Sequence, residues 1–233
     1  MPKKSLDTLS TPLQRKLIGC TRCERLVACR ETIPNKPAKG FTAADYWSKP
    51  VPGFGDPKAR LLILGLAPGA HGANRSGRPF TGDAAGTWLY PALHKFGFAN
   101  QPESTHRGDG LVLRGAYITN AVKCVPPGNR PLPAEQANCV PYLQDELDTM
   151  KDLRVILPLG GIALQAYLQW AVARSHLKKR SLVPFAHGGE YPLPNGHHLV
   201  MSYHCSRLNT NTGRLTLPMF EAVFARARQI IDA

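Results

Sequence analysis

From Arg60 onward the chain alternates two hydrophobic rhythms. Short apolar runs at Arg60–Leu64, Ala116–Asn120, Leu153–Pro158 and His198–Ser202 predict strands. Between and after them, apolar residues recur at helical spacing and predict helices over Trp88–Phe98, Ala134–Met150, Ile162–Ala173 and Leu217–Ile231. The last helix gathers Phe220, Val223, Phe224 and Ile230 on one face. Pro141 falls inside the second helix, where a ring without an N–H is expected to bend or break it. Strand followed by helix, four times, predicts an α/β fold. We read a three-layer α/β/α sandwich with a central four-stranded parallel sheet, one domain over residues 1–233. Residues 1–12 read as a loose tail. Residues 30–58, rich in Pro, Gly and Lys, read as a long ordered excursion that packs through Phe41, Tyr46, Trp47 and Phe54.

In open sheets of this kind ligands bind beyond the carboxyl ends of the strands. Three polar stretches fall there: 65–83, 120–131 and 203–214. The first, through Ala67, Pro68 and Gly69, could turn backbone N–H groups toward a ligand. Its glycines match neither the phosphate-loop nor the dinucleotide spacing. It goes on to Phe80, which could stack on a planar ring, and to Asp83, which could hold a water, face a cation or cap the next helix. The second opens on Asn120, whose carboxamide donates and accepts at once and so suits a base edge. The third carries His204 at a strand end, followed by Ser206, Asn209, Thr210 and Thr212, all suited to phosphates. Taken singly, each has a plainer use: core packing for Phe80, a turn for Asn120, a structural role for His204.

Charge narrows the partner. Lys and Arg number 29 against 16 Asp and Glu, a formal +13, which favours a polyanion such as nucleic acid. No apolar run approaches a membrane span, and the first residues lack the apolar centre of a signal peptide, so a cytoplasmic location is expected, nucleoid-associated for a DNA partner, with a monomer as the default. Six cysteines in such a chain suggest metal or catalysis before disulfides. Cys20 and Cys23 form a C-x2-C, and Cys124 and Cys139 a distant pair with fourteen residues between them. Two such pairs can hold a zinc ion or an iron–sulfur cluster, and spacing does not choose. Cys29 could replace one ligand and is otherwise read as a buried free thiol. Cys205, beside His204, is left out.

The three loops and the ordered cysteines together resemble the uracil-DNA glycosylase superfamily, and most of all its family 5, the type B enzymes with a [4Fe–4S] cluster. The pieces that carry this are Gly65-Leu66-Ala67-Pro68, the run from Gly77 to Gly86, Thr119 to Arg130, and Asn209 to Arg214; the similarity spans residues 20–231. It implies a DNA-repair hydrolase that flips uracil, or another deaminated or modified base, out of double-stranded DNA and breaks its glycosidic bond. It implies that Ala67, Pro68, Gly69, Phe80 and Asn120 hold the base, that His204 donates to the leaving base, and that Asp83 serves the sugar cation or the water. Ser206, Arg207, Leu208, Asn209 and Arg214 would contact DNA, with Leu208 as the wedge. Cys20, Cys23, Cys124 and Cys139 would hold a structural cluster. Other branches place a polar, water-holding residue where this chain has Leu66 and Ala67. The family also usually has Pro after the motif His, where this chain has Cys205. Two rivals stand beside this reading. A non-catalytic DNA-binding protein with a structural four-cysteine metal site accounts for charge and cysteines, but not for Asn120, Asp83 and His204 beyond the strand ends. An iron–sulfur redox enzyme would need an acceptor site for which no motif is present.

Overall fold

The computed structural model describes residues 12–233. The expected tail at 1–12 lies outside them except for Pro12, which opens the first helix. In chain order the elements are helices α1 (Pro12–Ile18) and α2 (Glu24–Thr32), strands β1 (Phe54–Gly55) and β2 (Leu61–Gly65), and helices α3 (Ala73–Ser76) and α4 (Gly86–Lys95). Strand β3 (Ala116–Asn120), helix α5 (Pro133–Thr149), strand β4 (Val155–Pro158) and helix α6 (Gly161–Ala173) follow. Strands β5 (Glu190–Pro192) and β6 (His198–Val200) and helices α7 (Arg207–Asn211) and α8 (Leu217–Asp232) complete the chain.

The strands form one sheet in the order β1-β3-β2-β4-β6-β5. Its centre, β3-β2-β4-β6, is parallel and consists of the four expected strands. The sheet is wider than expected by two short antiparallel edges, β1 on β3 and β5 on β6. Runs of two and three residues are too short for an alternating pattern to reveal. The two faces are read off the pleat. Leu61, Ile63, Ala116, Ile118, Val155, Leu157 and Val200 face α4 and α8, whose Leu89, Leu93, Phe220 and Phe224 close that core. Leu62, Leu64, Ile156, Leu199 and Met201 face the other way, onto Leu143 and Leu147 of α5 and Leu164, Tyr167 and Leu168 of α6. Each fully buried aliphatic side chain contributes roughly 1.5–3 kcal/mol, so these two layers fix the strand register.

Two helices differ from expectation in instructive ways. Helix α5 runs unbroken through Pro141. Pro141 and Ala137, one turn before it, lie on the exposed side, where water can satisfy the carbonyl that proline cannot bond. Helix α4 starts earlier than Trp88 and stops before Phe98, because Gly97 adopts a left-handed φ of 75°. Among the described residues, no helix is long and apolar enough to cross a membrane.

The excursion before β1 docks as expected through Tyr46, which is buried, and through Trp47 and Phe54, which are partly buried. Phe41 does not pack inward. It is 40% exposed and lies under the Arg75 guanidinium instead. Further back, Arg25 of α2 forms a two-pronged ion pair with Glu135 of α5, 2.7 Å on each prong, and ties the N-terminal helices to the body.

Candidate active site

The parallel register sets the site. Gly65, the last residue of β2, pairs with Asn120, the last of β3. The chains stay together beyond the strands: Ala121 N–H donates to Gly65 O at 2.9 Å and Val122 N–H to Leu66 O at 2.8 Å. Across the sheet, Gly160 N–H donates to Ser202 O at 2.8 Å, just before His204. All three predicted loops therefore meet at one end of the sheet. They enclose a cavity of about 320 Å³, lined by Leu66, Ala67, Pro68, Gly69, Phe80, Asp83, Asn120, Asn129, His204 and Ser206 among others. That is within the size range of small-ligand pockets.

Asn120 is 3% exposed, and among the described residues its Oδ1 has no hydrogen-bond partner. It sits against Gly65, where a Cβ would meet Phe80 Cζ at 2.7 Å and lie closer still to Asn120 Oδ1. Phe80 holds a left-handed φ of 54°. A non-glycine residue in that region costs of order 1 kcal/mol or more, a strain that clusters at functional sites. The Phe80 and His204 ring centroids lie 6.0 Å apart, with planes inclined by 31°. A planar base between two rings needs roughly twice the ~3.5 Å contact distance. The pair is therefore too close to sandwich a base. A base on Phe80 would present its edge, not its face, to His204.

Asp83 does two things. Its Oδ1 accepts from Gly86 N–H at 3.0 Å, so it caps α4. Its other oxygen faces the first loop: a Cβ on Gly69 would lie 3.3 Å from Oδ2, and one on Gly72 would clash with the carboxylate. Burial holds the His204 imidazole below its usual pKa range, and the Asp83 carboxylate opposes this only in part. His204 is therefore neutral at neutral pH, a ring with one N–H to give. Asn209 fixes the His204 segment from behind, its Nδ2 donating to His204 O at 2.8 Å. That bond uses one of the two N–H groups of the amide. Cys205 is fully buried in the α4/α8 core, where its Sγ approaches Ala85 O at 3.5 Å and burial pushes its thiol up to about 12. It serves as a small apolar filler beside the site.

Ser206 caps α7, with Oγ accepting from Asn209 N–H at 3.5 Å. Leu208 is 74% exposed, the most exposed large apolar residue among the described residues. Arg207 is exposed, and Arg214 lies 4.5 Å above the Tyr203 ring. Lys123, also next to the site, is unavailable to a ligand. It is 1% exposed and donates to Glu146 Oε2 and Thr119 Oγ1, each at 2.6 Å. Sequence reasoning missed Asn129, which lines the pocket and holds a left-handed φ of 57°. The Pro127-Gly128-Asn129 turn was the available signal.

Cys20, Cys23, Cys124 and Cys139 line one recess between the N-terminal helices, the loop after β3 and α5. Cys29 is partly exposed, not buried as expected, and does not line it. Cationic and amide donors surround the thiols. Buried Arg30 donates from Nη1 to Cys124 Sγ at 3.3 Å and has an unpartnered Nε, while Asn138 Nδ2 donates to Cys23 Sγ at 3.3 Å. Among the described residues no three His, Cys, Asp or Glu side chains are gathered closely enough to hold a single ion.

Comparison with known proteins agrees with this geometry. Residues 52–228 match the family model of the uracil DNA glycosylase superfamily. The chain is 51% identical over 214 residues to a type-5 uracil-DNA glycosylase of Thermus thermophilus, covering 92% of this chain and 94% of that one. It is 45% identical over 212 residues to the type-5 enzyme of Mycobacterium bovis, covering 91% and 78%. The type-5 enzyme of Pyrobaculum aerophilum is 43% identical over 212 residues, covering 91% and 89%. The loops that converge at the strand ends, and relatives of this similarity over nearly the whole chain, lead to one assignment: the chain belongs to the uracil DNA glycosylase superfamily, in its type-5 branch.

Proposed function

We propose that the protein excises uracil from double-stranded DNA by hydrolysing the N-glycosidic bond, leaving an abasic site and acting as a monomer. The observation that carries this is the buried, unpartnered Oδ1 of Asn120 at the pocket floor. Leaving a buried acceptor unpaired costs about 1–3 kcal/mol. A ligand that brings a donor relieves that cost. Uracil brings its N3–H, and its O4 can accept from the same carboxamide. Cytosine offers an acceptor at N3 and an amine at C4, so both contacts would be reversed.

The rest of the site supports bond cleavage. The base, once extruded from the stack, lies on Phe80. As the C1′–N1 bond lengthens, the electron pair goes to the base and positive charge remains on the sugar. Neutral His204 donates to the base oxygen that gains charge, and such a donor is typically worth about 100- to 1,000-fold in rate. Asp83 lines the same pocket, and its carboxylate serves the sugar cation or the attacking water. The water oxygen binds C1′, its proton leaves to the carboxylate or solvent, and the base anion is protonated after departure. Exposed Leu208 suits the gap left in the duplex, and Ser206, Arg207 and Arg214 suit the neighbouring phosphates.

Cys20, Cys23, Cys124 and Cys139 fit a [4Fe–4S] cluster. The four line one recess, and cysteine thiolates are the usual ligands of such a group. Arg30 and its neighbours suit the negative charge of such a group. The cluster would supply a cross-link between the N-terminal helices and the site-bearing domain, not redox chemistry.

The test is a base-excision assay on a duplex with one uracil, with abasic sites revealed by alkali. A strand break at that position, absent from the thymine control, is expected. No alkali-labile site after incubation with the iron-loaded protein would overturn the proposal.

A further inference from the structure

We infer that residues 33–49 form a second DNA-contact element, a basic strap that grips backbone phosphates on one flank of the extruded nucleotide. The inference rests on the proposed action on duplex DNA and adds a surface that the pocket does not include. The strap precedes the stretch that matches the superfamily, residues 52–228. It is nonetheless tied directly to the pocket's first loop. Trp47 N–H donates to Arg75 O at 2.9 Å and Ser48 N–H to Asn74 O at 3.1 Å, and Tyr46 Oη bonds His71 Nδ1 at 2.7 Å. A duplex that delivers a nucleotide past the first loop therefore runs beside the strap.

Its charge is one-sided. Lys36, Lys39 and Lys49 are exposed. Arg75 and Arg107 are held over aromatic rings of the strap, at 3.8 Å from the Phe41 centroid and 4.3 Å from that of Trp47. Lys49 takes a second place at the Trp47 ring, 5.5 Å away. The one carboxylate in the strap, Asp45, accepts from Thr42 N–H and Thr42 Oγ1 at 2.7 and 2.9 Å. Among the described residues none of these five cations forms an ion pair, and the Asp45 carboxylate, held low first by its Thr42 hydrogen bonds, is the one negative charge the strap sets near Arg75. Like charges that outnumber the one nearby carboxylate raise the energy of the free protein, and a polyanion removes that cost; Arg75 Nε donates to His71 O at 2.9 Å, which leaves its terminal N–H groups. Ring stacking suits arginine in such a role. It fixes the guanidinium plane while leaving edge N–H groups for phosphate. Exposed Phe41, otherwise unexplained, has this as its use.

The experiment compares two triple variants of the full, iron-loaded chain. In one, Lys36, Lys39 and Lys49 become alanine. In the other, Lys58, Arg114 and Lys151 do; these are also exposed, but they precede β2, β3 and β4 and so lie at the end of the sheet away from the pocket. Affinity for a duplex with one non-cleavable 2′-fluorinated deoxyuridine is measured against salt. Each lost phosphate contact lowers the slope of log K against log salt by about 0.9. The strap variant is expected to lose about 2–3 units of slope and keep its single-turnover rate at saturating DNA, and the control to lose none. An unchanged slope in the strap variant, or an equal loss in both, would overturn the inference. Wild-type excision on the same day separates that failure from a failure of the proposed function.

Discussion

Replacing Gly65 with alanine perturbs the pocket floor at one defined point. The residue ends β2 and is not among those with positive φ, so alanine adds no backbone strain. The effect is steric. The new Cβ would lie 2.7 Å from Phe80 Cζ and nearer still to Asn120 Oδ1. Carbon–carbon contacts settle at roughly 3.5–4 Å, so ring and carboxamide must retreat by about 1 Å. The backbone cannot yield in their place, because Gly65 O and Leu66 O each accept from the second loop, at 2.9 and 2.8 Å. Overpacking of this kind costs about 1–3 kcal/mol in stability, which the two core layers can absorb. A displacement of about 1 Å at reacting groups costs on the order of 100-fold in rate. The assay is single-turnover excision from a uracil duplex at saturating enzyme, beside thermal melting and duplex affinity. The variant is expected to fold, to bind duplex normally and to excise about 100-fold more slowly. A wild-type rate in folded Gly65→Ala would refute the claim that Asn120 and Phe80 hold the base.

Four further outcomes follow from the same geometry. Asp83→Asn keeps the cap on Gly86 N–H but loses the charge, so single-turnover chemistry should slow while duplex affinity holds; unchanged chemistry would reduce Asp83 to a helix cap and leave His204 and the backbone of Ala67–Ala70 to carry the reaction. Leu208→Ala removes a side chain that is 74% exposed, so melting should not change, while excision from duplex should fall more than excision from single strands; an equal fall on both would remove its wedge role. Cys→Ser at Cys20, Cys23, Cys124 or Cys139 should lower iron content and stability together, since metal binding is coupled to folding, whereas Cys29→Ser should keep its iron; full iron in Cys124→Ser would rule that ligand out. Burial lowers His197 to about 4, and the Tyr167 hydroxyl bonds its Nδ1 at 2.8 Å. The unfolded chain therefore takes that proton first as pH falls, so this share of stability is full above about pH 6.5 and declines toward 4, by roughly 1–2 kcal/mol given partial solvent access. Denaturation midpoints in His197→Gln should be flatter across that range, and an undiminished decline would place its cause elsewhere.

Much of this was legible in the sequence because the physics involved is local. The four central strands are runs buried on both faces, and the parallel order follows from the helices between them. Loops at strand ends then meet by topology alone, which is why Asp83, Asn120 and His204 could be brought to one pocket on paper. What escaped the sequence depends on pairing across long separations. Strands β1 and β5 exist only because β3 and β6 offer them an edge. Phe41 looks like a core residue until Arg75 is found above it. The path of α5 through Pro141 depended on which side of the helix faces water, and the local pattern around a proline does not reveal that.

The central claim is that the unpartnered Asn120 Oδ1 is the acceptor that reads the base. A crystal structure of the protein with free uracil tests it most directly. Uracil is expected to lie on Phe80, with its N3–H donated to Asn120 Oδ1 and its edge toward His204. Uracil bound elsewhere, or bound in the pocket with Asn120 Oδ1 still unpaired, would contradict it.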